Sequence, residues 1–308
     1  MKALDLFCGA GGITRGFLKA GFDVKGVDIS DPVKTTFVEN NHATFEKKDL
    51  LRELVRHECE VITGGPPCKP WSSVNVKTGK RSFNHRDYDL VARFFVHVKE
   101  NKPQIFLFEN VPPLQSDNIL SLYMKKMERL GYSVKSSIVK YCDYGASTAR
   151  RRLIIFGTRI GKAETFFKLL EDRKTRPRTV KYAIWDLRNK DRNEVHDHIW
   201  PNLKTIDKYK KYYKTNKYGW YILQWNKSAP SFGNIMKTYI LHPNGFRGPD
   251  TRVVSVREVM SIMGFERNFK FPDDIGMGQK YQMAVDSVSP VFSDASARVI
   301  RDIINGKT

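Results

Sequence analysis

The stretch KALDLFCGAGG, residues 2–12, joins a short apolar run to a glycine-rich turn, and a helical pattern follows it at 13–21. Glycines at such a junction allow the tight turn of a βαβ unit and let the backbone approach a ligand. The next apolar run ends at Asp28, 19 residues after Gly9. A carboxylate there can accept hydrogen bonds from ribose hydroxyls. The pair predicts a site for a nucleoside-containing cofactor, and both a dinucleotide and S-adenosylmethionine fit it; an ordinary strand-to-helix turn is the alternative.

Short apolar runs continue to alternate with helical patterns as far as about residue 159. Alternation of this kind is typical of an α/β protein with a doubly wound, mostly parallel sheet. A helix is predicted over 87–101. The predicted strands occupy residues 2–7, 22–29, 58–65, 103–110, 133–141 and 152–158.

The middle of the chain has a different composition. Residues 162–247 contain 19 Lys or Arg against 8 Asp or Glu, and basic and aromatic residues interleave most clearly over 208–225. Beyond it, Ser255 and Glu258 form a capping-box pattern that begins a helix ending near Gly264, and a last helix is predicted over about 288–304. We therefore predict a first domain at 1–159, a second, smaller domain or insertion at 160–250 and a final segment at 251–308.

Composition limits the class of protein. The 308 residues carry a formal net charge of +20, which favours a polyanionic partner. No apolar run approaches the ~20 residues that span a bilayer, so we expect no membrane association. The four cysteines are scattered without zinc-ligand spacing, and the first residues do not resemble a secretory signal. We expect a reducing, cytoplasmic location and no bound metal.

A single cysteine stands in the segment GGPPCKPWS, residues 64–72, just past an apolar strand. Two prolines fix the backbone in front of Cys68, while Lys69 and nearby peptide N–H groups favour the thiolate. Cys68 is therefore a candidate nucleophile. A lone cysteine can equally be an inert apolar side chain.

Charged residues also follow the later strands. Glu109 ends the apolar run at 103–110, where an acid is costly to desolvate without a partner or a role, although a helix cap is the alternative. Arg150 and Arg152 precede the next run and should project to one side of it, unless they belong to a surface charge cluster. Asp49, after a weak strand, is a candidate adenine ligand or an N-cap.

Eight blocks of the sequence resemble, in their order, the successive motifs of the C5-cytosine DNA methyltransferase family. These blocks are DLFCGAGG, VDIS, KDL, GGPPCKPWS, ENV, TARRR, RVVSVREVMSIMGF and YQMAVDSV. The resemblance covers 1–159 and 252–304. It implies a Rossmann-like S-adenosylmethionine-dependent methyltransferase domain, catalytic and cofactor-binding, at 1–159. It also implies that the basic middle segment, 160–250, is the variable target-recognition domain and that 251–308 returns to the catalytic domain. It also implies transfer of a methyl group to C5 of a flipped-out cytosine in a short duplex DNA sequence, with S-adenosylhomocysteine as the product.

The family mechanism assigns roles to matching positions. Cys68 would add to C6 of the base, Glu109 would hydrogen-bond or protonate N3, and Arg152, with Arg150 at the neighbouring motif position, would hold the base. Nucleic-acid contacts are implied for Ser72, Lys77, Lys80 and Arg81. Cofactor contacts are implied for Phe7, Gly9, Ala10, Gly12, Asp28, Ile29, Asp49, Leu50, Pro67, Leu90 and Ser287.

The chain also departs from the family pattern. Lys69 replaces a usual Gln, Thr148 replaces the Gln of the arginine motif, and Asp286 stands where the family has Asn. An acid at position 286 changes both the hydrogen-bond donors and the charge there, which puts the family role of that position in doubt.

Other functions explain less of the sequence. A nicotinamide oxidoreductase would leave Cys68, Glu109 and the basic segment unexplained, and an amino-group methyltransferase would need an aromatic residue at position 68. The tRNA-modifying branch of the family is a closer alternative, but its Cys-Phe-Thr signature is missing because no cysteine follows Cys142. A catalytically impaired DNA-binding relative is a further alternative. We expect a monomer in a restriction-modification system, with any cognate endonuclease acting independently.

Overall fold

The computed structural model describes residues 1–71, 85–203, 206–215, 219–246 and 251–307. The strands form a seven-stranded sheet with the order β3-β2-β1-β4-β5-β7-β6. The strands are β1 (Lys2–Leu6), β2 (Asp23–Asp28), β3 (Thr44–Lys47), β4 (Val61–Gly64), β5 (Ile105–Asn110), β6 (Ser133–Lys140) and β7 (Arg151–Thr158). These strands confirm the six runs predicted from the sequence.

Helices connect and follow the strands. They are α1 (Gly12–Lys19), α2 (Asp31–Asn40), α3 (Leu90–Asn101), α4 (Asn118–Arg129), α5 (Ala163–Glu171), α6 (Val180–Ile184), α7 (Lys210–Lys214), α8 (Ile235–Thr238), α9 (Val256–Met263), α10 (Met277–Asp286) and α11 (Pro290–Ile304). Single 3-10 turns occupy Lys69–Trp71, Pro112–Ser116, Tyr141–Tyr144, Trp185–Leu187 and Ile206–Tyr209. The α/β class predicted from the sequence is confirmed.

Strand order determines where a ligand can bind. Strands β3, β2, β1, β4 and β5 run parallel, whereas β7 pairs antiparallel with β5. The chain moves outward from β1 in one direction to β2 and β3 and then returns to β4 on its other side. Such a switch point opens a crevice at the carboxyl ends of the strands, where open α/β sheets bind their ligands.

An aromatic core supports this part of the sheet. All residues of β4 and β5 are buried, as expected for strands covered on both faces. Phe94 of α3 meets Phe108 of β5 edge to face at a centroid distance of 5.1 Å, and Phe95 stacks on the same ring at 5.3 Å. Contacts of this geometry contribute about 0.5–1.5 kcal/mol beyond the area they bury. They hold β5, and thus the end of that strand, against α3.

The chain forms two compact units. The first comprises residues 1–139, 151–174 and 292–308, and the second comprises 140–150 and 175–291. The functional boundaries at 159 and 250 stay a prediction.

The ends of helices α1 and α9 lie at or near the residues predicted from the sequence. Helix α1 ends at Lys19 and is followed by Gly21 in the left-handed region. The capping box of Ser255 and Glu258 is present at α9, which Gly264 terminates with φ of 92°. Among the described residues, no helix combines the length and apolarity needed to cross a bilayer.

Candidate active site

The loop after β1 is shaped by alternating left-handed residues. Phe7, Gly9 and Gly11 have φ of 58°, 52° and 86°. The N–H of Gly9 donates to Asp28 Oδ2 at 3.1 Å, which ties the loop to the end of β2. A Cβ built on Gly9 would meet no described atom within 4 Å, whereas one on Gly11 would lie 2.4 Å from the Asn41 side chain. The backbone at Gly9 therefore faces open space, and at Gly11 only glycine fits.

Asp28 lies half-buried at the carboxyl end of β2. Burial raises the pKa of its carboxyl group, while N–H donors from Ser30, Gly9 and Ile29 oppose that rise. Ser30 donates to Oδ1 at 3.1 Å. Ile29 beside it is 57% exposed, an unusual position for a large apolar side chain. A carboxylate with oriented oxygens next to an exposed apolar surface fits a ribose and its attached base.

The carboxylate of Asp5, beneath this loop, is fully buried. It accepts a hydrogen bond from Thr14 Oγ1 at 2.7 Å, and its Oδ1 has no hydrogen-bond partner among the described residues. Burial raises the pKa of Asp5 to about 7, and the Thr14 hydroxyl opposes that rise.

The remaining cofactor candidates of the first unit lie along the same strand edge. Ala10 is buried within the glycine loop, Gly12 begins α1, Leu90 begins α3 and Pro67 follows β4. Leu50 is buried in the core. The Asp49 carboxylate accepts the Leu51 N–H at 3.0 Å in a turn, and the described residues between Asp49 and β4 include no helix, so the alternative of a helix N-cap is wrong. Its role toward adenine stays a prediction.

Glu109, in β5, is paired with an arginine of the neighbouring strand. Arg152 Nε lies 2.8 Å from Glu109 Oε1, and the two residues are 7% and 9% exposed. Antiparallel pairing of β5 with β7 brings them together, since Glu109 stands opposite Ile154 in the register. Arg152 also donates to the carbonyl of Arg151 at 2.7 Å. Two of the four predicted catalytic side chains are therefore in contact.

Cys68 follows β4 in a loop that is attached to β5. Asn110 Nδ2 donates to the carbonyl of Pro66 at 3.0 Å. A Cβ on Gly65 would lie 2.9 Å from Glu109 Oε2, so this glycine lets the loop pass the carboxylate closely. Cys68 forms no disulfide, and the residue is partly exposed. The lowered pKa expected for it stays a prediction. Sequence reasoning missed Gly65 and Asn110, although both flank recognised motif residues.

Two predicted residues belong to the second unit. Arg150 is 6% exposed and donates to the carbonyl of Phe232 at 3.3 Å, while its Nε has no hydrogen-bond partner among the described residues. Ser287 follows α10 and donates to the carbonyl of Val288 at 3.1 Å. Asp286 beside it is exposed and accepts from Gln282 at 2.7 Å. The roles of Arg150 and Ser287 at the reaction centre stay predictions.

The basic and aromatic stretch of the second unit folds around one tryptophan. Trp220 lies 4.9 Å from Tyr209 and 5.4 Å from Tyr239, measured between ring centroids. Exposed lysines surround this cluster, at positions 208, 210, 211 and 214. Ser72, Lys77, Lys80 and Arg81, the predicted nucleic-acid contacts, lie outside the described residues.

A buried ion pair organises the start of α9 in the same unit. Arg252 binds both carboxylate oxygens of Glu258, at 2.7 and 2.9 Å. Arg252 lowers the pKa of Glu258 against the effect of its burial, which raises it. Over the described ranges, no three His, Cys, Asp or Glu side chains group as a metal site would require.

A family model described as C-5 cytosine-specific DNA methylase matches residues 1–302. Type II methyltransferase M.FnuDI of Fusobacterium nucleatum is 28% identical over 347 residues, covering 100% of this chain and 96% of that protein. Putative type II methyltransferase M.MJ0563P of Methanocaldococcus jannaschii is 26% identical and covers 98% of this chain and 99% of its own.

Solved structures share the fold along the whole chain. A putative DNA modification methyltransferase encoded within a prophage of E. coli superposes with a TM-score of 0.72 at 21% identity, covering 99% of each chain. The S. pombe Dnmt2 methyltransferase has a TM-score of 0.73 at 13% identity and covers 100% of this chain and 99% of that one. At these identities the likeness concerns the fold alone, and it confirms the Rossmann-like class.

Proposed function

The chain belongs to the C-5 cytosine-specific DNA methylase family, and we propose that Cys68, Glu109 and Arg152 carry out methylation of cytosine C5 in a specific short duplex DNA sequence. The observation that carries this proposal is the Arg152–Glu109 pair beside a loop that Asn110 fastens in front of Cys68. A carboxylate and a thiol on adjacent strand ends are the two groups that activation of a cytosine requires.

The chemistry of these side chains follows from the poor nucleophilicity of cytosine C5. The Cys68 thiolate forms a bond to C6, and the electron pair of the C5–C6 double bond becomes available at C5. Glu109 donates a hydrogen bond or a proton to N3, which stabilises the resulting enamine. After methyl transfer, loss of the C5 proton returns an electron pair to the ring and expels the Cys68 sulfur.

S-adenosylmethionine, which this family uses, supplies the methyl group when bound. The residues after β1 and β2 fit it, because the Asp28 carboxylate can accept from ribose hydroxyls and the backbone at Gly9 faces open space. The exposed Ile29 would contact the base. Phe7, Ala10, Gly12 and Pro67 line the same strand edge.

Duplex DNA is the partner we propose. A stacked base cannot reach a thiol in a crevice, so the target cytosine must be flipped out. Phosphate contacts from the exposed lysines around Trp220 would supply salt-dependent affinity, and base-edge contacts would set the sequence. Two of the similar proteins are named type II methyltransferases, which favours a restriction-modification role with a separate endonuclease. We further propose a cytoplasmic monomer without a metal.

One experiment tests both reaction and substrate. The protein is incubated with methyl-labelled S-adenosylmethionine and a diverse pool of duplexes that contain 5-fluorocytosine, followed by a denaturing gel. Fluorine cannot leave C5 as a cation, so the reaction should stop at a covalent protein–DNA adduct. Adduct formation with tRNA and not with DNA would move the chain to the RNA-modifying branch, which no observation here favours. No adduct with either would leave a DNA-binding relative without activity.

A further inference from the structure

The carboxylate of Asp117 gathers three hydrogen bonds from separate parts of the first unit. Trp71 Nε1 donates to Oδ2 at 2.7 Å, and the Tyr88 hydroxyl donates to Oδ1 at 2.9 Å. The N–H of Ile119 also donates to Oδ1, at 3.0 Å, so that Asp117 caps the N-terminus of α4. Helix dipole and N–H donors together favour the charged carboxylate at this position.

Trp71 connects this carboxylate to the candidate nucleophile. It is 1% exposed and ends the 3-10 turn Lys69–Trp71, whose first bond runs from the Trp71 N–H to the Cys68 carbonyl at 3.0 Å. The indole packs on the ring of Tyr88 with a centroid distance of 5.2 Å. A buried indole whose ring N–H is bonded to Asp117 has one orientation, and the main-chain N–H of the same residue, Trp71, donates to the carbonyl of Cys68.

Asp117 is equally connected to the candidate acid. It lies eight residues after Glu109, and the intervening chain is the end of β5 followed by the 3-10 turn Pro112–Ser116. The side chain of Leu114 in that turn is fully buried, which fixes the turn in the core. One carboxylate therefore joins the segment that carries Cys68 to the segment that carries Glu109.

We propose that Asp117 is a positioning residue that, through Trp71, sets the main chain of Cys68 relative to Glu109. The inference rests on the proposed function, since it concerns the formation of the Cys68 adduct. Displacement of a reacting group by about 1 Å can cost on the order of 100-fold in rate. Loss of the Asp117–Trp71 bond should therefore slow adduct formation without weakening the binding of DNA or cofactor.

Asp117→Asn separates positioning from helix capping. Asparagine is as good an N-cap as aspartate, so α4 keeps its cap. When the amide oxygen of the Asp117→Asn side chain accepts from the Ile119 N–H, its amide nitrogen faces Trp71 Nε1. Both groups are then N–H donors, so no hydrogen bond forms between them. Trp71→Phe removes the same hydrogen bond from the other side and keeps a buried ring. Tyr132→Phe is the matched control, because it removes a buried hydroxyl that donates to the Pro103 carbonyl in the same core.

The measurements are kcat and KM for DNA and for S-adenosylmethionine, and the rate of adduct formation on a 5-fluorocytosine duplex. We expect Asp117→Asn and Trp71→Phe each to lower kcat and the adduct rate about 10- to 100-fold. Both KM values should stay within about twofold. The double variant should be no slower than either single variant, because both remove one shared interaction. Tyr132→Phe should keep the wild-type kcat.

Three results would overturn the inference: an unchanged kcat in both variants, a loss confined to KM, or effects that multiply fully in the double variant. Should Asp117→Asn fail to fold, Trp71→Phe is compared with the control Tyr132→Phe, and these two variants decide the question. Absence of an adduct with the wild-type protein would contradict the proposed function instead, so the two failures are distinguishable.

Discussion

Arg152 and Glu109 form a buried ion pair across β5 and β7, with Nε 2.8 Å from Oε1. Breaking a buried pair by removing one partner costs about 3–5 kcal/mol, because the other charge stays desolvated. The pair therefore fixes the direction of the Glu109 carboxyl group. Since Gly65 lets the loop before Cys68 pass beside Oε2, the fixed carboxylate lies beside the chain that leads to the thiol.

Glu109→Gln should lower the methylation rate about 100- to 10,000-fold, the range ascribed to a positioned acid or base. Glutamine keeps an acceptor for Arg152 but can neither carry the charge nor give a proton to N3. The check is the initial rate of methyl transfer, together with the affinity for S-adenosylmethionine, which should not change. Glu100→Gln is the control, because that carboxylate lies in an exposed pair with Arg56 at 3.5 Å. An unchanged rate in Glu109→Gln would reduce Glu109 to a structural role.

Cys68→Ser should abolish the covalent adduct with 5-fluorocytosine DNA and leave cofactor binding intact. A serine hydroxyl is far less ionised than a thiol at neutral pH, so it cannot add to C6 at a measurable rate. Cys59→Ser is the matched control. Burial raises the pKa of Cys59 to about 12, so its thiol stays protonated and unreactive. Adduct formation by Cys68→Ser at the wild-type rate would exclude Cys68 as the nucleophile.

Much of this arrangement is legible in the sequence, because it depends on local patterns. Gly9 and Asp28 can be identified from their positions after predicted strands. Ser255 and Glu258 can be identified from the spacing of a capping box. In the structure, Gly9 donates to Asp28 and the capping box is formed. Each of these features can be predicted from where a strand ends or a helix begins, and apolar periodicity indicates both.

The partners of these residues depend on pairings that periodicity does not specify. Arg152 reaches Glu109 because β7 lies between β5 and β6 in the sheet and pairs antiparallel with β5. Nothing in the sequence pattern indicates that Trp71 and Tyr88 both donate to Asp117. Arg150 and Arg152 looked equivalent from alternation along a strand, yet Arg150 precedes β7 and belongs to the second unit.

Asp28→Ala should weaken S-adenosylmethionine binding about 10- to 150-fold, which corresponds to losing about 1.5–3 kcal/mol of hydrogen bonding to a charged group. Isothermal titration calorimetry gives the dissociation constant directly. Asp31→Ala is the control, since its carboxylate is exposed and pairs with Lys47 on the surface. Equal affinities in the two variants would remove Asp28 from the cofactor site.

Asp5 should make the protein less stable as the pH rises from about 4 to about 7. Burial raises the pKa of Asp5 to about 7 from an ordinary 3.8, so the folded state keeps a proton that the unfolded state has lost. The free energy of unfolding falls with pH over that window, by a total of order 4 kcal/mol for a shift of about three units.

Asp5→Asn removes this titration. The stability of the variant relative to the wild type, from urea unfolding at pH 5 and pH 8, should therefore improve with pH. Thr14→Val should move the upper end of the window to higher pH, because it removes the hydrogen bond that lowers the pKa. A stability difference between Asp5→Asn and wild type that is equal at both pH values would show that Asp5 is charged throughout.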